Sequence, residues 1–190
     1  MVGISSITFP ASAAKLAEGP TAVKKALDII KSTPGNLGAY HGIQIEDGKT
    51  AYFSALWSGA DAHSAFLKGD KHAAFTAALT ELADGPLNAG YIEVSGDPTK
   101  AFESPVTEGV HFITKDTDDA PFKALAAAID SVAPYAWGRN VENKNHVIFF
   151  VGWDSVEAHL AVKDKSEDVL SKARAASESY KVAHAKLTKA

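Results

Sequence analysis

The sequence predicts an α+β fold made of two tandem copies of one βαββαβ unit, and three observations predict it. First, residues repeat 96 positions apart: Trp57 with Trp153, His63 with His159, Gly42 with Gly138. Second, the same spacing holds without a gap for Glu46 with Glu142, Phe53 with Phe149, and "AHSA" at 62 to 65 with "AHLA" at 158 to 161. Third, β-prone runs and helical periodicities follow one another in the same order in each copy.

Each copy opens on a short β-prone run, "ISSITF" at 4 to 9 and "TEGVHFIT" at 107 to 114. A helix follows. In the first copy it covers 20 to 33, with Val23, Leu27 and Ile30 at helical spacing, Pro20 near the start and Pro34 just past the end. Its partner is "APFKALAAAIDSVAP", 120 to 134. Next comes a hairpin, 36 to 46 with 50 to 57 around "EDGK", and 135 to 142 with 145 to 153 around "ENKN", where Asp-Gly and Asn-rich turns reverse the chain. The second helix of the first copy spans 61 to 83, with Phe66, Phe75, Leu79 and Leu82 on one stripe and "KGD" at 68 to 70 breaking it in two. A last strand closes each copy, "GYIEV" at 90 to 94 and "YKVAHAKL" at 180 to 187, and "GDPTKAFESP" at 96 to 105 reads as the linker. The expected domains are therefore 1–98 and 99–190.

That element order is the ferredoxin-like unit, with both helices on one face of a four-stranded antiparallel sheet. The bare face needs cover, and two units in one chain cover each other, sheet face to sheet face, as an internal pseudo-dimeric α/β barrel. The expected oligomer is a monomer with this internal pseudo-dimer, or a weak homodimer. Composition narrows the function classes. Hydrophobic residues are 46% of the 190 and charged residues 22%, as in an ordinary globular protein. No cysteine is present, which excludes disulfides, zinc–thiolate sites and thiol nucleophiles. The opening "MVGISSITFP" has no basic region, and no window reaches the roughly 18 apolar residues of a membrane span, so cytoplasmic residence away from membranes is expected. A net charge of −4 with scattered lysines gives no basic stripe for nucleic acid.

The "WDSVEAH" of 153 to 159 after a strand, the "WGRNV" of 137 to 141 and the "DKHAAF" of 70 to 75 resemble the dimeric α/β-barrel superfamily over nearly the whole chain, taken as two copies. That grouping includes stress-responsive A/B-barrel proteins, ABM-type cofactor-free monooxygenases and small polyketide cyclases. Its motifs speak for fold more than for activity.

Parity sorts the repeated residues. Ala51, Phe53, Ala55 and Trp57 share one strand face, and so do Val147, Phe149, Val151 and Trp153; both sets are apolar and belong under the helices. Core packing is the favoured reading of Trp153, and a helix-start contact that of His63 and His159, because all are kept in both copies. The differences say more. Ala51 and Ala55 stand where the second copy has Val147 and Val151, and the missing methyls cost on the order of 1 kcal/mol or more for each pair unless the space is filled. The first half therefore repacks or holds a ligand.

The resemblance implies a catalytic base at His72, fifteen residues after Trp57, with Asp168 at its place in the second copy. An imidazole titrates near neutrality and takes a proton from an activated carbon or phenol; the competing reading is a histidine on an exposed helix surface. The cyclases' accessory histidine on the first strand is missing from "SSITF", and Phe66 replaces their helical tyrosine. His111 and Asp168 are candidates for a separate pair in the second half.

The leading function is a cofactor-independent enzyme, of cyclase or monooxygenase type, acting on an aromatic or polyketide-like molecule with His72 as base and Ala51, Phe53, Ala55, Trp57 and Phe66 as walls. The alternative is a non-catalytic stress-responsive or carrier protein using the same cavity. Haem binding or degradation ranks below both, since Phe66 stands where such enzymes carry a helical tryptophan. No cofactor is expected, and no metal, because the histidines show no zinc spacing.

Overall fold

Successive side chains of a strand face opposite ways, so alternate apolar residues bury one face of a sheet. The computed structural model, which describes residues 1–18, 20–163 and 167–190, shows this in both copies. The chain divides into two compact units, Met1–Glu93 with Leu187–Ala190, and Val94–Lys186.

The first unit runs β1 (Val2–Pro10), α1 (Ala13–Ala17), α2 (Pro20–Lys31), β2 (Asn36–Gln44), β3 (Thr50–Trp57), α3 (Ala60–Lys68), α4 (Asp70–Thr80) and most of β4 (Asn88–Gly96). β3 is the central strand, antiparallel to β1 and β2, with Ser5 opposite Ala55 and His41 opposite Phe53. Ala51, Phe53, Ala55 and Trp57 form one buried cluster with Ala26 and Ile30 of α2 and Phe75, Ala78 and Leu79 of α4. Gly69, extended at φ −88° and ψ 161°, ends α3 and starts α4, which is the break expected at "KGD".

The second unit holds α5 (Pro98–Glu103), β5 (Val106–Thr114), α6 (Ala120–Asp130), β6 (Tyr135–Arg139), β7 (His146–Trp153), α7 (Val156–Lys163), α8 (Glu167–Ala175) and most of β8 (Ser177–Lys189). β5 pairs antiparallel with both β7 and β8, and β6 pairs with β7 and the end of β4. Val147, Phe149, Val151 and Trp153 are buried with Phe122, Leu125 and Ala126 of α6 and Ala173 of α8. The parity expected of β3 and β7 therefore holds.

Two elements depart from the sequence reading. The stretch taken as a linker forms α5. Asp97 Oδ1 accepts hydrogen bonds from the backbone N–H of Thr99 (3.1 Å) and Lys100 (3.3 Å), and Pro98 follows at the first helical position, where no N–H is missed. The helix packs onto β7: Phe102 meets Phe150 edge-on at 5.0 Å, and Gly152 lets α5 approach, since a Cβ there would stand 3.1 Å from the Ala101 Cα. The second departure is α1, a five-residue helix in a stretch that carries no apolar period. Among the described residues no helix is long and apolar enough to cross a membrane.

Candidate functional site

Register on β5 creates the site. Glu108 lies opposite Val151 of β7 and opposite His184 of β8, so its carboxylate shares the helix-covered face with Val151, Trp153 and His184. A buried carboxylate is costly unless it is bonded, and here it is. The Trp153 indole N–H donates to Glu108 Oε2 at 2.7 Å, and His159 Nε2, on α7, stands 3.6 Å from Oε1. The other nitrogen of the same ring, Nδ1, is hydrogen-bonded to His184 Nε2 at 2.9 Å. His159 also stacks on Trp153, with ring centroids 5.2 Å apart and planes 24° apart. Glu108 and His184 are only 5% and 6% exposed.

These side chains line a cavity of about 560 Å³ within the second unit, whose other walls include Val110, Leu125, Phe149, Val151, Leu170 and Arg174. The volume falls within the roughly 300–1,000 Å³ of small-molecule pockets, mostly apolar with a few convergent polar groups.

Glu108, His159 and His184 each offer a ligand atom within 4.8 Å of the others, the spacing a metal ion would need. His159, however, presents Nε2 to the carboxylate and Nδ1 to the second imidazole, and a single ion takes only one of these nitrogens. Carboxylate, imidazole and imidazole therefore stand in a row, the two rings hydrogen-bonded and the carboxylate within ion-pair distance of the first.

The first unit carries the same scaffold with different chemistry. Trp57 donates its indole N–H to Ser5 Oγ at 2.8 Å, and His63 stacks on Tyr91 at 4.1 Å. Serine thus takes the part of Glu108 and tyrosine that of His184.

No protein-family model and no curated protein matches the sequence. Solved structures do match, over the whole chain. A candidate monooxygenase from Fusobacterium nucleatum subsp. nucleatum is 15% identical, with 99% of this chain and 93% of that one covered at a TM-score of 0.76. A candidate monooxygenase from Lactobacillus acidophilus is 19% identical, covering 100% and 96% at 0.71. An anthrone oxidase-like protein is 12% identical, covering 98% and 91% at 0.73.

The chain shares its fold with these proteins over its whole length. Within this fold, the residues the sequence nominates for the leading site lie in the first unit. His72 is partly buried on the first turn of α4, with Nε2 3.4 Å from Thr76 Oγ1 and its ring edge-on to Phe66 at 5.4 Å. Phe66 in turn meets Trp57 at 5.2 Å and Phe75 at 5.5 Å, and Ala51, Phe53 and Ala55 belong to the same buried cluster. The structure therefore joins His72, Phe66 and Trp57 in one aromatic group, and none of them lines the second unit's cavity. His111 and Asp168 are not joined: His111 Nδ1 pairs with His146 Nε2 at 3.0 Å, while Asp168 is exposed on α8.

Sequence reasoning passed over Glu108 and His184, and it treated Trp153 and His159 as structural. For Glu108 a signal existed. It shares strand parity with Val106, Val110 and Phe112, so it is a charged residue on the inward phase of an apolar strand. His184 carries no such mark, because its place depends on the register between β5 and β8.

Proposed function

We infer that the second unit is the reactive half of an oxygenase-type enzyme acting on a small, largely apolar molecule, with the His159–His184 pair as general base and Glu108 as its charge partner. One observation carries this reading: a carboxylate–imidazole–imidazole row, buried at Glu108 and His184, borders an apolar cavity large enough for a polycyclic substrate. The monooxygenase and anthrone oxidase-like descriptions of proteins with the same whole-chain fold support it.

The chemistry follows from the residues. A methylene or phenol flanked by a carbonyl loses a proton to the imidazole pair, and Glu108 stabilises the imidazolium that results. The apolar walls hold the carbanion or enolate away from water. Such an electron-rich anion reacts with dioxygen: a methylene becomes a carbonyl, one oxygen atom enters the product, and the other leaves as water with the two hydrogens.

Oxygen uptake with an anthrone, a tricyclic ketone with an acidic methylene, tests the proposal. His159→Gln and His184→Gln each lower kcat by about 10²–10⁴-fold with melting temperature preserved, and His72→Ala leaves turnover intact. Turnover lost in His72→Ala and kept in the other two variants places the base in the first unit instead. Saturable anthrone binding with no oxygen uptake supports the carrier alternative.

A further inference from the structure

Arg174 lines the same cavity and holds a polar atom that no group among the described residues satisfies: its Nε is buried and makes no hydrogen bond to them. The rest of the guanidinium has partners. Nη1 donates to Glu167 Oε1 at 2.7 Å, and the guanidinium lies over the Tyr180 ring at 4.9 Å. The side chain is 24% exposed and its charge is paired with Glu167, but an N–H buried without an acceptor is unfavourable, and Nε is such a group.

We propose that the ligand of this cavity is an apolar ring system bearing an oxyanion, a carboxylate, phenolate or enolate, which the Nε–H of Arg174 binds. The proposal rests on the reading of the cavity as the active site and names its substrate class. Two further features fit. Val132, Leu160, Tyr180 and Val182 line the cavity yet are between 38% and 54% exposed, an apolar rim suited to the body of such a ligand. Glu108, the carboxylate among the lining residues, is already bonded by Trp153 and faced by His159, so its charge is engaged within the protein. The anion that general-base chemistry creates is also the charge that Arg174 would hold, which makes it a binding and positioning residue for that step.

Isothermal titration calorimetry on the full chain tests this with 2-naphthoate and its neutral counterpart 2-methylnaphthalene. The wild-type protein binds 2-naphthoate about tenfold or more tighter. Arg174→Met abolishes that preference while changing 2-methylnaphthalene affinity by less than about threefold, and Arg174→Lys restores only part of it, since an ammonium has no fixed fork. Titrating 2-naphthol at about pH 10, where it is the phenolate, tells which oxyanion fits better. Equal binding of the charged and neutral probes, a preference that survives in Arg174→Met, or no saturable binding of either probe overturns the proposal. The wild-type comparison is decisive even if a variant fails to fold. Because only binding is read, normal oxygen uptake in the histidine variants would remove the base assignment and leave the Arg174 result standing.

Discussion

Two residues distinguish the tryptophan–histidine groups of the two units. Both units hold a strand-end tryptophan and a histidine on the next helix, but the tryptophan N–H meets Ser5 in one and Glu108 in the other. Glu108→Leu removes the acceptor of a buried indole and the charge partner of His159, so it lowers stability by about 1–3 kcal/mol in urea unfolding and abolishes oxygen uptake. A different pair of histidines contributes to the dependence of stability on pH. Burial lowers the pKa of His111 to about 4, helped by His146 and Lys181, and burial also lowers His146. Between about pH 6.5 and 4 the unfolded chain binds a proton at His111 that the folded chain refuses, so stability rises with pH across that window and is lost as pH falls through it. The loss at His111 is at most about 3 kcal/mol. Melting temperature measured from pH 7 to pH 4 falls accordingly, and His111→Phe flattens the curve; an unchanged slope in that variant would remove His111 as the cause.

At the scale of elements, α5 shows what short signals can do. Asp97 caps it and Phe102 anchors it, fully buried against Phe150. Asp97→Ala costs about 1 kcal/mol and Phe102→Ala about 3–5 kcal/mol, both read from urea midpoints. A cost for Phe102→Ala near zero would mean that α5 is a tether and not part of the core. The cap signature was present in "GDPTKAF", but the segment is too short to show a helical period, so it reads as a linker. Strand faces were far more legible. Parity alone assigns Phe53, Trp57, Phe149 and Trp153 to the faces they occupy, because a strand's period needs no knowledge of its neighbours. The site was less so, since Glu108 and His184 meet only through the pairing of β5 with β8, and register between strands so distant in sequence is not written in either strand. Repetition misled in the opposite direction: His159 looks structural because His63 matches it, yet His159 meets a carboxylate and an imidazole where His63 meets Tyr91.

Taken as a whole, the molecule is a duplication whose copies keep one fold and divide in chemistry. The first unit places Ala51, Ala55 and the rings of Phe53, Phe66 and Phe75 in one buried cluster, while the second joins a carboxylate, two imidazoles and a guanidinium around a cavity of about 560 Å³. Each copy carries its own reporter, since the indole N–H of Trp57 is bonded to Ser5 and that of Trp153 to Glu108. A ¹H–¹⁵N spectrum of the indole region, recorded while 2-naphthoate is titrated into the full chain, reads both at once. The resonance of Trp153 shifts saturably and that of Trp57 stays in place if ligand chemistry resides in the second unit. A shift of Trp57 with Trp153 unmoved would contradict that assignment and return the site to the first.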